Sequence, residues 1–204
     1  MTERQLPRIY ADANIVTELG AFGRGWHKKN REDDIWHFRR MLEAAENGEL
    51  EVYTSSITLS ECSHLKDNSD EDHLKIVMDE KAQEFFKNLL SSGTLIKLVQ
   101  DSIFVAEAAR DLMWKHNLIL KGMDAIHVAS AIDAGCKEFL TWDTDMSNKK
   151  TADKITTLRG IGMSVIAPSQ TSLLPPQYRQ PSLDLRKASK PNEAPTSTAS
   201  AGKK

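Results

Sequence analysis

Cysteine is scarce in this 204-residue chain: only Cys62 and Cys136 occur, far apart and without CxxC or CxxH spacing. That excludes a disulfide framework and a zinc site of the usual spacing. It points to a reducing cytosol as the compartment. Long apolar runs are also missing, so no stretch reads as a bilayer-spanning helix. The first eight residues carry charge but no apolar segment follows, and they read as no signal peptide. Charge of one sign is lacking too. The net charge of −2 gives no global attraction to nucleic acid, so a polyanion would have to be held by local basic patches or by metal. There is no Walker-type glycine–lysine loop, which argues against nucleotide hydrolysis. No serine or cysteine is framed by a neighbouring base, and no internal repeat is present.

What is there is an ordinary core-forming composition, 40% hydrophobic and 27% charged, enough for one domain. Arg8 to Ala11 reads as a first strand and Ala13 to Leu19 as a helix. Gly20 to Arg31 reads as a loop with three glycines and a basic-aromatic stretch, Arg24-Gly25-Trp26-His27-Lys28-Lys29-Asn30-Arg31. From Asp33, the apolar residues Ile35, Phe38, Met41, Leu42 and Ala45 recur at helical spacing until Asn47-Gly48. Leu50 to Tyr53 is a second strand, and Thr54 to Leu65 holds a short helix. Lys66 to Asp72 is a polar break. Leu74, Val77, Met78, Lys81, Ala82, Phe85 and Leu89 then predict one long amphipathic helix. Thr94 to Val99 is a third strand, Ser102 to His116 a helix, and another helix starts near Asp124. Glu138 to Trp142 is a fourth strand, Lys154 to Leu158 a helical piece, and Met163 to Ile166 a fifth strand. Alternation of this kind predicts an α/β domain with a mainly parallel sheet, whose ligands bind beyond the carboxyl ends of the strands.

The texture changes after Pro168. A domain over 1–170 is therefore expected, followed by a disordered Pro/Ser/Lys-rich tail over 171–204 with almost no apolar periodicity. From Gln177 onward, six basic residues stand against two acidic ones. The tail then carries about +4 and the body about −6.

Acidic residues fall at the element boundaries. Asp12 ends the first strand, Glu61 lies inside a short apolar helix, Asp124 opens a helix, and Asp143 and Asp145 follow the fourth strand. Helix capping is the ordinary explanation for Asp12 and Asp124, and a solvated loop for Asp143 and Asp145. Glu61 is harder to dismiss among neighbours that want burial. In a parallel sheet these carboxylates would meet at one edge. Two of them about 4 Å apart repel by roughly 4 kcal/mol at an effective dielectric of about 20, so the cluster would hold protons or a hard divalent cation.

Four stretches carry a resemblance: Ile9-Tyr10-Ala11-Asp12-Ala13-Asn14-Ile15-Val16, Ser56-Ile57-Thr58-Leu59-Ser60-Glu61, Leu120-Lys121-Gly122-Met123-Asp124-Ala125-Ile126-His127-Val128-Ala129-Ser130-Ala131, and Phe139-Leu140-Thr141-Trp142-Asp143-Thr144-Asp145. In this order the chain resembles the PIN domain family of metal-dependent nucleases, and within it the VapC-like toxin ribonucleases. The resemblance implies a three-layer α/β/α fold around a five-stranded parallel sheet. It implies a metal-binding and catalytic set of Asp12, Glu61, Asp124 and Asp143, with Asp145 replacing or assisting Asp143, and Asn14 and Thr141 supporting the acids. The implied activity is Mg²⁺- or Mn²⁺-dependent hydrolysis of RNA phosphodiester bonds in the cytoplasm. A small antitoxin protein and homodimerisation are the implied partners. The long helical region from Glu32 to Leu90 and the added tail depart from the smaller toxins.

Some readings stay open at this stage. Arg24, Lys28, Lys29 and Arg31, with Trp26, form either an RNA-contacting patch or a solvated loop. Trp142 is core or a base-stacking surface. His127, one turn after Asp124, reads as a packed or solvated helix-face residue and not as a ligand. Two alternatives to the nuclease remain: a non-catalytic RNA- or protein-binding module whose acids are only caps, and a haloacid-dehalogenase-type phosphohydrolase. The latter wants a second aspartate two residues after the first, where this chain has Asn14.

Overall fold

β1 (Arg8–Ala11) is apolar on both faces because both faces are covered: Ile9, Tyr10 and Ala11 have no exposed surface. A strand buried on both sides belongs at the centre of a parallel sheet, and β1 is central. The computed structural model describes residues 5–67, 75–77, 80–143, 146 and 152–179. Within these, β1, β2 (Glu51–Ser55), β5 (Lys97–Val99), β6 (Glu138–Leu140) and β7 (Ser164–Ile166) form one sheet in the order β5-β2-β1-β6-β7. Every pairing in it is parallel. Ile9 pairs with Val52 on one side and Glu138 on the other. The chain builds outward from β1 through β2 to β5, then returns to β1's other edge with β6. The strand order therefore reverses beside β1, where doubly wound sheets open a crevice at their carboxyl ends.

Helices cover both faces. α1 (Ala13–Phe22), α2 (Glu32–Glu46) and α4 (Glu80–Ser91) share one core with Ile9, Ala11, Val52 and Leu140. α5 (Ile103–Lys115) and α6 (Gly122–Asp133), with Leu158 of α7 (Ala152–Gly160), share the other core with Tyr10, Phe139 and Val165. Alternate residues of β1 and β6 thus feed opposite cores, as the period of two requires. The result is a three-layer α/β/α fold.

Three features differ from the sequence expectation. First, α1 runs through Gly20 to Phe22 where a loop was predicted. Gly20 is there for close packing: a Cβ at that position would lie 2.5 Å from the Phe86 ring of α4. Second, the long helix predicted from Leu74 begins only at Glu80. Before it, β4 (Lys75–Val77) pairs antiparallel with β3 (Leu65–Asp67) in a separate ladder, Leu65 opposite Val77. Ile76 and Val77 are β-branched and suit a strand as well as a helix, and the available partner strand decides. Leu74, Met78 and most of the predicted polar break lie outside the described residues.

Third, packed structure continues past residue 170. Leu174 is fully buried and Tyr178 nearly so. The Tyr178 hydroxyl accepts from Asn47 Nδ2 at 2.9 Å, and Arg40 of α2 lies over its ring at 5.4 Å. The rest of the tail, from residue 180, lies outside the described residues. Among the described residues, no helix is long and apolar enough to cross a membrane.

Candidate active site

The crevice beside β1 is built around Asp12. Its backbone N–H donates to Leu140 O at 3.0 Å, extending the β1–β6 ladder by one residue. Its side chain caps α1, with Oδ1 accepting from Ala13 N at 2.8 Å. Oδ2 accepts from Asn14 Nδ2 at 2.7 Å and from the Thr141 hydroxyl at 2.6 Å. Thr141, buried just after β6, also receives Asn14 Nδ2 at 3.0 Å and the Asp143 N–H at 2.9 Å. Asn14 Oδ1 accepts from Trp142 N at 3.3 Å. One knot of hydrogen bonds therefore ties the carboxyl ends of β1 and β6 together and fixes the backbone that carries Asp143. Capping and clustering, posed as alternatives by the sequence, occur in the same carboxylate. Burial, ahead of the repulsion from Glu61, holds the Asp12 carboxyl above the usual range, against the pull of His127, Thr141 and Ala13 N.

Glu61 closes the four-residue helix α3 (Thr58–Glu61) that follows β2. Its Oε2 lies 2.7 Å from His127 Nε2, and the same nitrogen is 3.9 Å from Asp12 Oδ1. Asp124 stands in the first turn of α6. Its carboxyl is held above the ordinary value by burial, then by the charge of Asp143, with a smaller contribution from Glu61. Asp12, Glu61, Asp124 and Asp143 thus feel one another electrostatically at one edge of the sheet. They do not form a ready-made ligand set: among the described residues no group of three acidic, histidine or cysteine side chains is placed to hold a metal. Asp145 lies outside the described residues.

The donor chemistry nevertheless suits a hard divalent cation, which takes carboxylate oxygens. Among the described residues, Glu61 Oε1 and both Asp124 oxygens accept no hydrogen bond, and Asp12 Oδ1 accepts one. These oxygens are available, and burial, then the like charge of Asp143, raises the Asp124 carboxyl.

His127 is the residue that sequence reasoning missed. It is nearly fully buried, the packed one of the two helix-face readings, and it stands between Asp12 and Glu61 with Nδ1 2.7 Å from the Tyr10 hydroxyl. The available signal was its position three residues after Asp124, on the same helix face, among buried Ala125, Val128 and Ala129. The basic loop is only partly free. Arg31 pairs with Glu18 at 3.4 Å and lies over the Trp142 ring at 4.5 Å, so it is engaged within the fold. Arg24 lies over Trp26 at 5.3 Å. Lys28 and Lys29 are exposed. Cys62 is buried beside Thr17, and burial pushes its thiol up to about 12, which removes it as a nucleophile.

A family model of the PIN domain matches residues 25–151. The chain belongs to the PIN domain family. The matched span covers well over half of the chain and includes Glu61, Asp124 and Asp143, while Asp12 and Asn14 precede it. PIN domains are generally nucleases, and the all-parallel sheet flanked by helices is consistent with that fold. No curated protein matches the chain.

Proposed function

We propose that this PIN domain is a Mg²⁺- or Mn²⁺-dependent endoribonuclease whose site is the acidic edge beside β1. The observation that supports it best is the Asn14–Thr141–Asp12 knot. Two side-chain donors are spent on one carboxylate oxygen at the strand-order reversal, with Asp143 tied to the same hydroxyl. A capping aspartate in a mere binding module has no need of that arrangement. Asp12, Glu61, Asp124 and Asp143 would hold the metal, with Asp145 able to join them. When bound, a divalent ion supplies charge to the scissile phosphate and lowers the pKa of water.

The chain's own residues do the remaining work. Asn14 and Thr141 orient Asp12 through Oδ2. Lys28, Lys29 and Arg24 offer phosphate contacts, and Trp26 offers a stacking face. Arg31 serves instead to brace Trp142. Asn14 is committed as a donor to Asp12 and Thr141 and is no proton shuttle, which disfavours a phosphohydrolase with an aspartyl nucleophile. A role as the toxin of a toxin–antitoxin pair, with a small antitoxin and a homodimeric state, rests on the VapC-like motif stretches alone.

The test is incubation of the protein with mixed RNA and DNA pools in Mg²⁺, in Mn²⁺ and in chelator. RNA cut only with metal supports the proposal. An intact RNA pool under all conditions contradicts it.

A further inference from the structure

Glu61 is weakly constrained by its own element. It ends a helix of only four residues and its side chain is about one-third exposed. Left alone, such a glutamate samples many rotamers, and ordering it costs conformational entropy. One feature restrains it. His127 Nε2 stands 2.7 Å from Oε2, and Oε1 accepts no hydrogen bond among the described residues.

His127 is in turn held from behind. Its Nδ1 is 2.7 Å from the Tyr10 hydroxyl, and Tyr10 is a fully buried residue of the central strand. The Tyr10 ring stacks on Phe139 of β6 with centroids 5.2 Å apart and planes 8° apart. A phenol has one proton to give. The Glu61 carboxylate can only accept, so Nε2 carries the proton between them. In the neutral ring Nδ1 is then the acceptor, and the Tyr10 hydroxyl donates to it.

We infer that His127 is a positioning residue: anchored by Tyr10 in the sheet, it fixes Glu61 through Oε2 so that Oε1 is presented to the divalent cation. The inference rests on the nuclease reading above. It adds a chain of control from the central strand through α6 to α3, three elements far apart in sequence. A group that hydrogen-bonds a metal-ligating carboxylate orients it, and loss of such a partner typically lowers metal affinity about 10–100-fold.

The experiment is calorimetric titration of Mn²⁺ into wild type, His127→Ala, His127→Gln and Tyr10→Phe, with RNA cleavage measured across Mn²⁺ concentrations. His127→Ala should weaken Mn²⁺ binding about 10–100-fold, and saturating Mn²⁺ should restore most of the cleavage rate. His127→Gln, whose amide both donates and accepts, should retain affinity within a few-fold. Tyr10→Phe keeps the stacked ring and removes only the hydroxyl, so it tests the anchor even where an alanine in the core prevents folding. It should weaken Mn²⁺ binding in the same direction. Wild-type affinity in Tyr10→Phe, together with wild-type affinity in His127→Ala where that variant folds, overturns the inference and leaves the nuclease reading intact. Failure of the wild type both to bind Mn²⁺ and to cut RNA overturns the nuclease reading and the inference with it.

Discussion

The Trp142 indole donates to Asp34 Oδ2 at 2.8 Å, so the residue between Thr141 and Asp143 is fastened to the first turn of α2. The other oxygen of Asp34 accepts the Ser169 N–H at 2.9 Å. One carboxylate therefore clamps both the site-bearing segment after β6 and the chain that follows β7. Asp34→Ala leaves two donors without a protein partner. It should cost about 2–3 kcal/mol, read as a lower denaturation midpoint at unchanged slope. Cleavage should fall with it, because Asp143 rides on that segment. An unchanged midpoint would show that water replaces Asp34 fully.

Neutralising the acids should have different effects on stability, although the sequence alone suggests common relief of repulsion. Asp124 accepts no hydrogen bond among the described residues, and burial and Asp143 raise its carboxyl. Asp124→Asn should leave the chelated protein at least as stable as wild type while reducing cleavage sharply. Asp12 is different: three donors converge on it, and an amide turned either way meets donor with donor. Asp12→Asn should destabilise by about 1–3 kcal/mol. Thermal unfolding of both variants in chelator checks the contrast, and a stabilised Asp12→Asn would contradict it.

Glu51 gives the acid limb of stability. Burial works to raise its carboxyl, but hydrogen bonds from Lys97, Arg8 and Tyr53 outweigh it and hold it below the ordinary 4.5. A carboxyl depressed in the folded state contributes stability above pH 4.5, and that contribution is lost as pH falls through the folded value. Both cationic partners are partly exposed, so the contribution is screened. Glu51→Gln should therefore cost about 1 kcal/mol or less at pH 7, and the cost should vanish as the pH falls from 4.5 through the depressed folded value. Urea midpoints across that range test the sign, and an equal deficit at both ends would contradict it.

Gly20 should tolerate no side chain. On an exposed helix, glycine to alanine gains about 1 kcal/mol, yet here the added methyl meets the Phe86 ring. Gly20→Ala should lower stability by about 1–3 kcal/mol through overpacking. Phe86→Leu in the same background should recover part of the loss. A more stable Gly20→Ala would show that α4 shifts freely.

The sheet was legible because β1 and β6 are short apolar runs ending in polar residues, and strand–helix alternation leaves few topologies. Asp12, Asn14 and Thr141 were visible at those ends as residue types. The hydrogen bonds joining positions 12 and 141 are long-range facts that no local window contains. Lys75–Val77 was misread because a three-residue strand and a helix start share the same apolar spacing, and only its pairing with Leu65–Asp67 separates them. Leu174 and Tyr178 looked like tail because they lie among prolines, and their burial depends on a surface that α2 provides. His127 hid for the opposite reason. A histidine amid alanines and valines suggests inert packing, and its meaning comes from Tyr10 and Glu61, both distant in sequence.

The most direct test of the account is single-turnover cleavage of RNA by wild type and Asp12→Asn, each in Mn²⁺ and in chelator. Divalent-ion catalysis is worth several kcal/mol. The wild-type rate in Mn²⁺ should therefore exceed the other three by at least about 100-fold. Equal cleavage by wild type in chelator, or by Asp12→Asn in Mn²⁺, would contradict the assignment of the acidic edge as the catalytic centre.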